Sequence, residues 1–311
     1  MSADKDLAFG PGSFNLTEPE VGLADLASYK ATLTLSFTGT QDGKAQRWSK
    51  TYSMLTTKEP ADRQLTIEKA GDFPDPGQVF MAEAAGAAYE RLGTAACMAT
   101  VIDPGNSLGV QMEPAGFLMG VTGAEAAGSE TVNGVAADHF TFDDRGVGLQ
   151  DIAKATGEMW VATNGGYIVK YVLTIVGDAD YFGTGIEGTL TLDYELTELN
   201  KPVSLTLPAD CPAGMVNAPQ LPDASNLQSV PGLQSYDTSS SVADAAAFYQ
   251  KQILDLGWTL PSGPAINDTT AIMDFANGNQ TMTVIITTGD TGTKVLIELG
   301  SSQVLVPTPS P

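Results

Sequence analysis

The chain has 311 residues, about twice a common domain length, and 42% of them are hydrophobic, so two domains with real cores are expected. Its net charge of −22, from 15 basic against 37 acidic residues, repels nucleic-acid backbones and anionic headgroups at long range and serves solubility. No run of about 18 apolar residues is present, so no membrane-spanning helix is expected.

The chain opens with Met1-Ser2-Ala3-Asp4-Lys5, which lacks the basic and apolar parts of a signal peptide. The composition favours an exported protein whose leader has been removed over a cytosolic one. Residues 1–19 read as an extended segment and 21–28 as a short helix. Tyr29 to Gly39 alternates cleanly, with Tyr29, Ala31, Leu33, Leu35 and Phe37 on one face of a strand. Gln41-Asp42-Gly43 turns the chain into a second strand, where Trp48, Tyr52 and Met54 share a face. Leu65 and Ile67 mark a third strand after Pro60, and residues 78–91 suggest a hairpin around Gly86.

Small residues dominate 94–128, which carries little periodicity, although Pro114 to Val121 suits a short apolar helix with proline in its first turn. A hairpin turning at Val132-Asn133-Gly134 returns through Asp138 to Phe142, and Leu149 to Ala155 reads as one or two helical turns. Gly157 to Cys211 then reads as consecutive antiparallel strands. Val169, Tyr171, Leu173 and Ile175 share one face of one strand; Leu190, Leu192, Tyr194 and Leu196 share one face of the next.

Four prolines between Pro208 and Asp223 mark a boundary, with 212–222 as linker. Beyond it, Ser241 to Gly257 is the one strong helix, capped by Ser239 or Ser240. Strands follow at 272–275, 281–288 and 293–299, separated by Asn277-Gly278 and Gly289-Asp290. The tail 303–311 is proline-rich and expected to be disordered. The fold class is therefore α+β, mainly β. An antiparallel sheet domain over 20–211 precedes a small domain over 223–302, with one helix on an antiparallel sheet.

Chemistry is sparse along this pattern. His139 is the only histidine, so a Ser-His-Asp or Cys-His site has to use it, and a structural imidazole in an alternating strand is the better reading. Asp178 to Gly183 has acids spaced like the start of a calcium loop. Its fifth and twelfth positions are Phe182 and Thr189, which supply no carboxylate. Asp143-Asp144 and Asp72 with Asp75 read as turn acids, and Gly183, Gly185 and Gly188 lie between strands, where no phosphate cradle forms. No metal or cofactor is expected. Cys97 and Cys211 fit one bridge outside the cytosol, with two buried thiols as the alternative.

Several features resemble the lipoprotein-carrier superfamily, the LolA and LolB carriers and envelope lipoproteins of the LppX and LprG type. They are Leu26-Ala27-Ser28-Tyr29, Trp48, Glu130 to Gly134 before His139-Phe140, Trp160-Val161-Ala162 with Tyr167 to Tyr171, and Asn200 to Val203 through Pro208. The resemblance spans about residues 20–211. It implies a curved, half-open antiparallel barrel whose concave side, covered by helices, holds lipid chains. The chain departs from the pattern in having no lipobox cysteine near its N-terminus; a lipid anchor in a full-length form would precede Met1. On this view Trp48, Tyr52, Trp160, Tyr171 and Tyr194 line the hollow, and Phe117, Leu118 and Met119 reach it from the covering helix. Core packing accounts for each aromatic singly. The argument for a hollow is collective, since the small residues over 82–88 and 115–128 offer little to fill it.

The expected function is non-enzymatic: an exported envelope protein binding a lipid or other hydrophobic molecule. The alternative is a surface interaction module with a filled half-barrel and an adhesive second domain, its envelope partner meeting Tyr236, Tyr249 and Trp258. Neither oligomeric state nor ligand identity is written in the sequence.

Overall fold

A computed structural model describes residues 13–16, 18–73, 77–102, 113–212, 214–289 and 292–301. Residues 1–12, Asp75, Asp290 and the proline-rich tail 303–311 lie outside the described residues. Two compact units emerge. One comprises residues 1–84, 92–94 and 104–206; the other comprises 85–91, 95–103 and 207–311. The division falls within the hairpin around Gly86: its first strand, up to Ala84, belongs to the first unit, and residues 85–91 belong to the second.

The strands of the first unit are β1 (Ser13–Leu16), β2 (Ser28–Gln41), β3 (Lys44–Thr57), β4 (Arg63–Gly71) and β5 (Val79–Ala84). The chain passes through β6 (Ala87–Leu92) and β7 (Met98–Val101), then returns as β8 (Val121–Val132), β9 (Val135–Asp143), β10 (Lys154–Ala162), β11 (Ile168–Gly177) and β12 (Ile186–Thr197). The order β1-β8-β9-β10-β11-β12-β2-β3-β4-β5 is antiparallel throughout and open, not closed into a barrel. Two meanders, β2–β5 and β8–β12, become one sheet through β12 and β2, which pair from Ile186↔Gln41 to Thr197↔Lys30.

Turn chemistry sets the registers. Asp42 and Gly43, and Asn133 and Gly134, all have positive φ, as the tight turns between twisted strands require. The helix expected over 21–28 shrinks to a 3-10 turn, Leu23–Asp25, because Leu26 is already extended and β2 begins two residues later. Pro114–Phe117 is likewise a 3-10 turn, ended by extended Leu118. Residues 149–153 form a single turn closed on the Leu149 carbonyl, not a helix, before Lys154 pairs with Val176. No strand continues to Cys211: β12 ends at Thr197, where Glu198 and Asn200 adopt left-handed backbone that breaks pairing.

The second unit holds the β6–β7 hairpin, β13 (Ser225–Val230), β14 (Leu233–Thr238), β15 (Ala265–Ile266), β16 (Thr270–Asn277), β17 (Gln280–Gly289) and β18 (Gly292–Ser301). Its sheet runs β13-β14-β18-β17-β16-β15, and β7 packs against β13 and β14. After α1 (Ala179–Phe182) of the first unit, the chain's other α-helix among the described residues is α2 (Val242–Asp255). It lays Ala245, Ala246, Tyr249 and Ile253 against β16 and β17. Its cap is Ser241, whose hydroxyl accepts from Asp244 N; Ser239 is occupied instead with Asp223. Cys97 and Cys211 are disulfide-bonded.

Candidate functional site: the apolar face of the first sheet

Register places one continuous row across the first sheet: Phe140, Met159, Tyr171, Tyr194, Leu33, Tyr52, Ile67 and Val79, each opposite the next. Directly paired residues point to the same side, so these side chains form one apolar face. Met159, Tyr171, Tyr194 and Leu33 are wholly buried on it. A short stretch, 113–119, covers them. Pro114–Phe117 packs on β2 and β3, Phe117 stacks on Tyr52 at 5.0 Å between centroids, and the Tyr171 hydroxyl donates to the Met119 carbonyl at 3.2 Å. Leu118 is buried, whereas Phe117 keeps 40% of its surface exposed.

Two rows further along, the same face turns polar. Tyr29, Thr56, Arg63 and Glu83 stand opposite one another in succession on β2 to β5. Arg63 Nη1 lies 3.6 Å from Glu83 Oε2. The Tyr29 hydroxyl donates to Glu113 Oε2 at 2.7 Å. Burial pushes the Glu113 carboxyl above its usual range; the Tyr29 hydroxyl, the Ala115 N–H and Arg63 pull the other way. Burial likewise raises the phenols of Tyr29, Tyr171 and Tyr194, and for Tyr194 the charges of Glu113 and Tyr29 add to it. Two buried oxygens here, Glu113 Oε1 and the Tyr194 hydroxyl, have no hydrogen-bond partner among the described residues.

Of the residues expected to contact a ligand, the structure gathers Tyr52, Phe117, Leu118, Met119, Tyr171 and Tyr194 at this one place. Trp48 shares the face but stands apart, stacked on Phe37 at 5.6 Å and close to Phe73 at 5.1 Å. Trp160 is on the opposite face. It pairs with His139 and Lys170, one residue out of step with Met159 and Tyr171. There its ring lies flat on His139, 4.4 Å away, its Nε1 donates to Glu130 Oε1 at 2.6 Å, and Lys170 Nζ stands 5.5 Å from the ring. His139 Nε2 is 3.3 Å from Glu158.

Residues not singled out from the sequence are Thr56, Arg63, Glu83 and Glu113. Strand parity with Leu65 and Ile67 was signal enough for Arg63. Glu113 had none, because it sits in a stretch without periodicity. The acids flagged earlier are turn and pairing groups: Asp178 caps α1, Asp143 and Asp144 pair with Arg145 and Lys154, and Asp72 accepts from Arg47 N. Among the described residues no three His, Cys, Asp or Glu side chains cluster as metal ligands would. At the other end of β2, β11 and β12, where Gly39, Gly188 and Gly177 align, an open groove of about 650 Å³ exposes Ile152 and Val176.

In the second unit, Tyr236 and Tyr249 are buried and joined hydroxyl to hydroxyl, and Tyr236 also accepts from Leu221 N. They are core residues, not surface anchors, because α2 closes over the sheet at that point. Trp258 is half-buried.

The START domain-like family matches residues 221–293, which take in α2 and the sheet from β13 to β17. No curated protein matches the chain. Among solved structures, the MucA/MucB complex of Pseudomonas aeruginosa is similar over 90% of this chain and 90% of that one, at 11% identity and a TM-score of 0.26. MucB in complex with MucA(peri) covers 91% of both chains at 12% identity and a TM-score of 0.27. A DUF1329 family protein from Desulfovibrio piger covers 58% of this chain and 88% of that one, at 13% identity and a TM-score of 0.20. Overlays this loose establish neither a common fold nor a common activity.

Proposed function

We propose that the protein is an exported, non-enzymatic binder that holds an apolar or amphiphilic molecule against the apolar face of its first unit, beneath the stretch 113–119. One observation carries this reading: among the described residues the middle of a wide apolar row is covered by a short 3-10 turn, and the aromatic of that cover, Phe117, is itself 40% exposed while stacked on Tyr52. A cover held by so few contacts is displaced at little cost. Each methylene of a chain laid in its place contributes about 0.8 kcal/mol. The resemblance of residues 20–211 to lipoprotein carriers supports the reading, and the Cys97–Cys211 bridge fits an oxidising compartment.

The second reading, an interaction module, is favoured by the complete burial of Leu33, Tyr171 and Tyr194 under the chain's own side chains. Native mass spectrometry of the purified chain, with titration of a fluorescent fatty alcohol, separates the two. Binding predicts a co-purifying lipid mass or saturable uptake, weakened by Phe117→Ala. A protein that carries no adduct and takes up no probe supports the module instead.

A further inference from the structure

On the side of the first sheet turned away from the apolar row, Lys170, Val172, Thr174 and Val176 follow one another along β11. In the middle of that side charges are paired, Lys170 with Glu195 and His139 with Glu158. Toward the end of β11 the pattern changes. Val176 is 53% exposed there and shares the open groove of about 650 Å³ with Ile152, which is 46% exposed. Neither is loose. Val176 is held in the ladder opposite Lys154 and Thr189, and the turn that presents Ile152 is closed by the N–H groups of Ile152 and Ala153 on the Leu149 carbonyl. A second hollow of about 330 Å³ continues the groove, since Thr40, Asp178 and Glu187 line both. We propose that this track receives an extended, basic segment of a protein partner, with an aliphatic side chain on Ile152 and Val176 and arginine or lysine side chains against the acids around them.

The charge of the lining selects this occupant. Asp151, Asp178 and Glu187 line the first hollow, and Asp42 and Asp180 join them in the second. All five are exposed, and none is ion-paired among the described residues. Their hydrogen bonds are local: Asp178 accepts from Asp180 N, and Glu187 from the Thr40 hydroxyl. Lys154, the cation of the lining, is held by Asp144 at 2.9 Å. Among the described residues no three acids group as ligands of one metal ion, so separately spaced cationic side chains suit them better than a single ion. An acidic segment or a phosphate backbone would meet like charge. Exposed ion pairs contribute little each, so the acids steer the segment and set its position, while contact with Ile152 and Val176 supplies the affinity. This groove lies outside the face beneath 113–119 and does not depend on the reading of that face.

The test uses the full chain and three short capped peptides: two leucines flanked on either side by arginines, the same peptide with serine for leucine, and the same with glutamate for arginine. Affinities come from fluorescence anisotropy at low and at physiological salt. The leucine–arginine peptide is expected to bind about tenfold tighter than the serine one, and its affinity should fall as salt rises; the glutamate peptide should not bind. Ile152→Ser, at an exposed position, should cost the leucine–arginine peptide about fivefold and leave the weak binding of the serine peptide unchanged. Asp151→Asn with Glu187→Gln should weaken both arginine peptides by about threefold to tenfold. The control pair Asp268→Asn with Glu298→Gln, which removes as much charge from the second unit, should leave them unchanged. Equal loss from the two pairs would reduce the attraction to the overall charge of −22. Equal binding of the leucine and serine peptides, or indifference to Ile152→Ser, would remove the apolar floor. Either result overturns the docking groove, as does failure of both arginine peptides to bind.

Discussion

Glu113 is the most consequential carboxylate of the first unit. Its neighbours are Tyr29 and Tyr194 from β2 and β12, Arg63 from β4 with its partner Glu83 from β5, and Glu20 before the first 3-10 turn. Its carboxyl is raised from the ordinary 4.5, chiefly by burial. The sign follows from proton binding: between pH 4.5 and the raised value, the folded form holds a proton that the unfolded form has lost. The stability this contributes is complete below pH 4.5 and is lost as pH rises through the folded value. Urea unfolding from pH 4.5 to 7.5 should show the first unit weakening with pH, and Glu113→Gln should flatten that slope. An unchanged slope in the variant would place the titrating group elsewhere. Asp223, in the second unit, works in the opposite sense. Hydrogen bonds from Ser239 and Thr238 lower it to about 2, so its contribution is present above pH 3.8 and fades as pH falls toward that lower value.

Strands that bury one side only were legible, and those that bury two or none were not. β11 and β12 alternate because one face meets the core and the other meets solvent or paired charges such as Lys170–Glu195. β14 is buried on both sides, with Gln234 and Ser235 inside beside Leu233 and Tyr236, so period two vanishes; its partner β13 is mostly polar and exposed. In the candidate site, parity alone found Tyr52, Tyr171 and Tyr194. Trp160 was assigned to the same face because it adjoins Met159 in an apolar run, where alternation has no polar residue to show which neighbour points inward. Glu113 and the 3-10 cover depend on tertiary contacts that no local pattern encodes. One tight local fit in the sheet is testable by itself. A Cβ at Gly157 would stand 2.2 Å from the Phe142 ring, which occupies that space on the neighbouring strand. Gly157→Ala should therefore cost about 1–3 kcal/mol in chemical unfolding. The cost should shrink in a Phe142→Leu background, where the blocking ring is gone; equal cost in both backgrounds would assign it to backbone preference instead.

The path of the chain makes the disulfide a tie within the second unit, although the residues it encloses mostly build the first. Cys97 and Cys211 are 114 positions apart, yet both belong to the second unit, as does the β6–β7 hairpin that carries the chain there before it returns for β8 to β12. Without the bridge, the second unit would have to recapture that hairpin across a loop of this length, an entropic cost of about 4–5 kcal/mol on the chain-entropy account. The noncovalent hold includes the packing of β7 on β13 and β14 and the Arg91–Asp210 pair at 3.0 Å. The consequence is a selective one. Reduction, or the paired substitutions Cys97→Ser and Cys211→Ser, should lower the unfolding midpoint and raise hydrogen exchange in β6, β7, β13 and β14. The amides of β10 to β12, held in ladders internal to the first unit, should keep their protection. Exchange rising equally in both sets would mean that the bridge stabilises the two units as one cooperative body, and no rise in the hairpin would mean that packing alone retains it.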